Sequence, residues 1–107
     1  MRIDILTLFP KMLEATLATS IVKRAQDSGQ VEIHVHDIRD WADNKHRKVD
    51  HRPYGGGPGM VMMCQPLHEA VQEVERQVNT PECSPVRIHF TPQGEVLKQE
   101  RVEQLAS

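Results

Sequence analysis

The chain has 107 residues, a formal net charge of −2, 38% apolar residues and four aromatics. That length supports one domain at most, with a modest core, and the acidic balance argues against general coating of nucleic acid. The charge is uneven, though: between Arg39 and Arg52 five Lys/Arg face three Asp, alongside His46 and His51, so a local phosphate contact stays open.

Ile3, Ile5, Leu6 and Leu8, with Asp4 and Thr7 interleaved, predict a largely buried strand. The run is too short and too interrupted for a signal peptide, and no stretch is apolar enough to span a membrane, so a soluble cytoplasmic protein is expected. Phe9-Pro10 starts a helix, since proline is tolerated at the first helical position. Leu13, Leu17, Ile21 and Ala25 then form an apolar stripe at steps of four, and Gly29 is placed to end the helix. Val31, Ile33 and Val35 alternate with Glu32, His34 and His36, the period of a half-exposed strand. From Asp37 to Asp50 no apolar period survives, which predicts a charged loop or a short irregular helix.

Residues 50–63, Asp-His-Arg-Pro-Tyr-Gly-Gly-Gly-Pro-Gly-Met-Val-Met-Met, hold four of the six glycines and three of the five methionines. A helix would lose about 1 kcal/mol per glycine relative to alanine. Pro53 and Pro58 lack the N–H that a strand ladder uses. A loop remains, in which backbone rather than side chain forms the working surface. Its charged lip and the apolar run from Met60 to Met63 predict a binding surface anchored to a core; a plain Gly-Pro turn fits the composition as well. Beyond it, Gln65-Pro66 opens a helix with Leu67, Ala70, Val71, Val74 and Val78 on its buried face. Val86 to Phe90 reads as a third strand, Thr91-Pro92-Gln93-Gly94 as a turn, and Val102, Leu105 and Ala106 mark a last helix. The alternation predicts an α/β fold with a parallel sheet flanked by helices, and ligands at the carboxyl ends of its strands. Phe9-Pro10, the glycine loop and residues 91–94 are expected on that rim. Ending in a helix without a closing strand, residues 1–107 are expected to be an incomplete portion of a larger domain.

Several chemistries find no support. The glycine loop is not followed by Lys-Ser/Thr, and it is not G-x-G-x-x-G, so neither nucleotide-binding fingerprint applies. His34 and His36 share a strand face, but no ligand set with finger-like spacing completes a zinc site. Cys64 and Cys83 lie far apart, suit a reducing compartment as buried or incidental thiols, and lack a local histidine partner. Asp50-His51-Arg52 leaves two readings: Arg52 can fork onto a phosphate or base edge while Asp50 accepts from a guanine's N1–H and amino group, or the two form a solvated ion pair.

The fourteen-residue string at 50–63 closely resembles the signature of the bacterial tRNA (guanine-N1-)-methyltransferase family. Leu8-Phe9-Pro10, Arg39-Asp40, Lys45-His46, Val49-Asp50, Gln65-Pro66-Leu67 and Thr91-Pro92-Gln93-Gly94 support it in the family's order. The resemblance implies a SPOUT-class trefoil-knot methyltransferase domain, of which residues 1–107 would be the N-terminal portion with the knot absent. It implies a homodimer that transfers a methyl group from S-adenosylmethionine to N1 of the tRNA guanosine 3′ of the anticodon. The family's catalytic aspartate and its assisting arginine would lie beyond Ser107, so no catalytic residue is carried over. His89, Phe90, Thr91 and Pro92 match the segment lining the adenosine side of the cofactor, His89 and Phe90 standing where Tyr-Leu is commoner. Asp50, Arg52, Gly55, Pro58 and Gly59 match the loop that approaches the tRNA. As a piece, the chain is expected to be inactive alone; the alternative expectation is a non-catalytic RNA- or partner-binding fragment.

Overall fold

The computed structural model describes residues 1–107. β1 (Arg2–Thr7) and β2 (Glu32–Asp37) pair in parallel, with Arg2 opposite Glu32 and Thr7 opposite Asp37. A parallel pair needs a crossover, supplied here by α1 (Pro10–Leu17) and α2 (Ser20–Asp27). Pro10 opens α1 as expected. The single helix read from Pro10 to Gly29, however, is two. Ser20 has a φ of 56°, and Thr19 Oγ1 donates to the Thr16 carbonyl at 2.9 Å, drawing local backbone away from the helical ladder. Gln26 Nε2 donates to the Leu17 carbonyl at 2.8 Å and satisfies a group that the end of α1 leaves free. The break also rotates the stripe: Val22 and Ala25 turn inward, and Ile21 is 76% exposed. Gly29 closes α2 with a φ of 75° in a Schellman arrangement, Gly29 N–H donating to Gln26 and Gln30 N–H to Ala25.

A 3₁₀ turn (Ile38–Trp41) follows β2, opened by Asp37, whose carboxylate accepts from Arg39 N–H at 3.0 Å. Of the two readings for this charged segment, the short irregular helix holds for its first turn and the loop for the remainder. β3 (Asp50–His51) and β4 (Val61–Met62) then form an unforeseen antiparallel pair that closes the glycine segment into a hairpin. The apolar run expected to anchor it does not: Met60, Val61 and Met62 are exposed. Val49 takes that part, its side chain fully buried and its carbonyl accepting from Met63 N–H at 2.7 Å.

α3 (Cys64–Val78) carries Pro66 in its first turn, where the missing N–H costs no helical bond. It buries Pro66, Ala70 and Val74 against the 3₁₀ turn and β1, while Leu67 faces outward. With Ile38 and Val49 these three residues make up the whole buried core. Cys64 and Cys83 are both exposed rather than buried.

The third strand does not form. Residues 84–90 form no regular element and pair with no strand, and Val86, Ile88 and Phe90 are exposed. The radius of gyration, 16.1 Å, exceeds the about 13 Å of a compact chain this long, because the last third lies off the core. Arg87 ties it back, pairing both its Nε and Nη2 with the Glu75 carboxylate of α3. α4 (Gln99–Ala106) ends the chain with Leu105 half-buried. No helix is long and apolar enough to cross a membrane.

On the sheet, Asp4 accepts from Arg2 Nε and Nη2, both at 2.9 Å, and lies 2.9 Å from His36 Nε2. Burial alone would raise the Asp4 carboxyl, but these hydrogen bonds outweigh it and its pKa lies below the usual carboxylate range. Because folding lowers this pKa, the stability Asp4 contributes is full above about pH 4 and disappears as pH falls through the folded value. Asp4→Asn is expected to cost about 1.5 kcal/mol at neutral pH in urea unfolding and to flatten the acid limb of stability. An unchanged acid limb would assign that limb to other carboxylates.

Candidate functional site

The β3–β4 hairpin holds the five residues expected to face RNA. Asp50 begins β3 opposite Met62 and is half-buried, whereas Arg52, Gly55, Pro58 and Gly59 are exposed in the loop. Neither the Asp50 carboxylate nor the Arg52 guanidinium has an ion pair or side-chain hydrogen bond within the chain. The solvated-ion-pair reading is therefore not the arrangement adopted, and both groups are free to engage another molecule.

Gly55, Gly56, Gly57 and Gly59 have φ of 80°, 85°, 112° and 84°. An added Cβ at any of them meets nothing within 4 Å. Glycine is needed here for backbone conformation rather than for space within the chain. The result is a bare peptide surface turned outward. The loop is rooted by buried Val49, and His51 Nδ1 lies 2.7 Å from the Arg52 carbonyl. The His51 and Tyr54 rings meet at 5.1 Å with a 58° tilt. Tyr54 was not singled out from sequence; the signal available was the chain's sole tyrosine set inside its glycine cluster.

The charged segment before the hairpin is ordered by its own bonds. Arg47 bridges Asp40 and Asp37, Arg39 Nη1 donates to the Arg47 carbonyl at 3.3 Å, and Asn44 exchanges two bonds with Lys48. Lys45, His46 and the Lys48 ammonium remain exposed and unpaired. Two free ammonium groups, Lys45 and Lys48, thus lead into the loop, a disposition suited to phosphate.

His89, Phe90, Thr91 and Pro92 lie together on the exposed 84–90 segment and its turn. Gly94 N–H donates to the Thr91 carbonyl at 3.1 Å, as the Thr-Pro-Gln-Gly pattern predicts. The backbone groups of His89 and Phe90 make no backbone hydrogen bond. No hydrogen bond or ion pair links residues 89–92 to the hairpin. Phe9-Pro10 does sit at the carboxyl end of the strands, lining an open groove of about 410 Å³ with Leu8, Lys11, Met12 and Asp37. The glycine loop and residues 91–94 do not line that groove, so the expected common rim is not assembled within this chain.

In backbone the chain matches the crystal structure of tRNA (m1G37) methyltransferase from Aquifex aeolicus, with a TM-score of 0.78 and 34% identity, covering 98% of this chain and 45% of that one. That defines its class as an α/β methyltransferase fold. The tRNA (guanine-N(1)-)-methyltransferase of Chloroflexus aurantiacus is 50% identical over 107 residues, all of this chain and 41% of the relative. That of Leptothrix cholodnii is 46% identical, covering 42% of its length. The family model described as tRNA (Guanine-1)-methyltransferase TrmD matches residues 1–107, and the chain belongs to this family. It spans about two fifths of the length of the curated relatives it matches.

Proposed function

We propose that this chain forms the substrate-facing portion of an S-adenosylmethionine-dependent tRNA (guanine-N1-)-methyltransferase of the SPOUT class, working in the cytoplasm as a homodimer. Its target is the guanosine 3′ of the anticodon. The observation that carries the reading is the unpartnered Asp50 carboxylate at the root of an open glycine hairpin. Asp50 accepts from the edge of a guanine neighbouring the target, Pro58 and Gly59 pack against the target base, and Arg52 engages phosphate or a base edge. Bare backbone lets RNA approach the peptide plane.

The residues at 89–92 fit the cofactor's adenosine. The free backbone donors and acceptors of His89 and Phe90, followed by the Thr91-Pro92 turn, suit recognition of an adenine edge through main chain. When bound, S-adenosylmethionine supplies an electrophilic methyl group for N1. Methylation at N1 also requires loss of its proton, hence a general base. The family resemblance assigns that base to an aspartate aided by an arginine, neither among residues 1–107. On this reading the hairpin orients the target base, Asp50 reads its neighbour, and the N1 proton is left to those groups.

The test is transfer of labelled methyl from S-adenosylmethionine to tRNA by the product of the protein's own gene, with the modified atom located by mass spectrometry of nucleosides. Label at guanine N1 is expected, and is lost when adenosine replaces the target. Binding of tRNA without turnover would instead favour a non-catalytic RNA-binding role.

A further inference from the structure

We propose that Tyr54 is a stacking platform for an unstacked nucleobase of the RNA, a role that rests on the reading of the hairpin as the guanosine-facing loop. Tyr54 is 91% exposed, more than any other large apolar residue in the chain. A hydrogen-bonded turn sets its backbone. Gly56 N–H donates to the Pro53 carbonyl at 3.2 Å, and the φ of 80° at Gly55 is that of the third residue of a type II turn. Tyr54 therefore occupies the second position of a turn whose geometry needs the glycine after it. Pro53 before it is half-buried, and His51 braces the phenol ring from the strand below at 5.1 Å. The phenol hydroxyl makes no hydrogen bond, and His51 is its only aromatic neighbour.

An aromatic ring held out on a hydrogen-bonded turn, with bare glycine backbone beyond it, has the design of a base-stacking surface. Single-stranded RNA loops are recognised by stacking splayed bases on aromatic rings, and such stacking tolerates any base. The adjacent free Arg52 guanidinium is placed to hold a phosphate flanking that base. Tyr54 would fix the position of a loop nucleotide, and Asp50 would read a guanine edge.

Tyr54 is the sole tyrosine, so biosynthetic 3-fluorotyrosine puts one ¹⁹F reporter at this site. Titration with a synthetic anticodon stem–loop is expected to shift that resonance saturably through the base's ring current. One abasic substitution in the loop is expected to abolish the shift. In steady-state methylation by the product of the protein's own gene, Tyr54→Ala is expected to raise KM for tRNA by about tenfold to a hundredfold, with much less effect on kcat. Tyr54→Phe, which keeps the ring, is expected to recover most of the binding. A ¹⁹F resonance unmoved by saturating stem–loop overturns the proposal, as does a Tyr54→Phe as impaired as Tyr54→Ala. If the unsubstituted protein methylates guanine N1 while Tyr54→Ala leaves KM unchanged, the platform is refuted and the methyltransferase reading stands.

Discussion

Asp50→Asn, assayed in the product of the protein's own gene, is expected to lower kcat/KM for tRNA by about ten- to a hundredfold, the discrimination a good bidentate base contact provides. The carboxylate can accept from both donors of a guanine edge. Asparagine offers one acceptor and turns an NH₂ group toward the other donor, so a favourable contact becomes a repulsive one. Folding stability is expected to change by less than about 0.5 kcal/mol, because nothing in the chain depends on this carboxylate. The contrast is the diagnostic. An activity loss matched by a stability loss would make Asp50 structural, and an unchanged kcat/KM would remove it from recognition.

Val49→Ala is expected to do the reverse. Val49 is fully buried in a core of only five buried residues, and its carbonyl holds Met63 at the far side of the hairpin. Removing two methyl groups there is expected to cost about 2 kcal/mol, from lost transfer energy and the cavity left behind. So small a core has few neighbours that can collapse into the gap. The midpoint of urea unfolding is expected to fall with an unchanged slope. KM for tRNA is expected to rise as well, since Val49 sets where Asp50 and the loop begin. A stability change under about 0.5 kcal/mol would mean that the hairpin is rooted elsewhere.

The elements that carry their own periodicity were legible in the sequence. β1, β2 and α3 follow from apolar spacing, Pro10 and Pro66 mark helix starts, and Gly29 forms its predicted cap. The split at Thr19-Ser20 was not legible, because no glycine or proline announces it. It depends on Gln26 reaching back to Leu17, a contact that exists only once both helices are in place. Val86-Arg87-Ile88-His89-Phe90 has the alternation of a strand, but alternation describes one face of a ribbon and cannot supply the partner that completes a ladder. The β3–β4 pair lay below the reach of pattern, at two residues a side among Gly and Pro. The site divided along the same line. Asp50 and the glycines were recognisable from an unusual string. Tyr54 stood in that string as one residue among fourteen until its exposure set it apart.

The central claim is that residues 50–59 form the surface that meets the target guanosine. Photo-crosslinking tests it most directly: tRNA carrying 6-thioguanosine 3′ of the anticodon is irradiated with the protein, and the crosslinked peptide is identified by mass spectrometry. Crosslinks within residues 50–59, competed by unmodified tRNA and weakened by Asp50→Asn, are the predicted result. Crosslinks confined to the Leu8–Met12 groove or to α4, with none in the hairpin, would contradict the account.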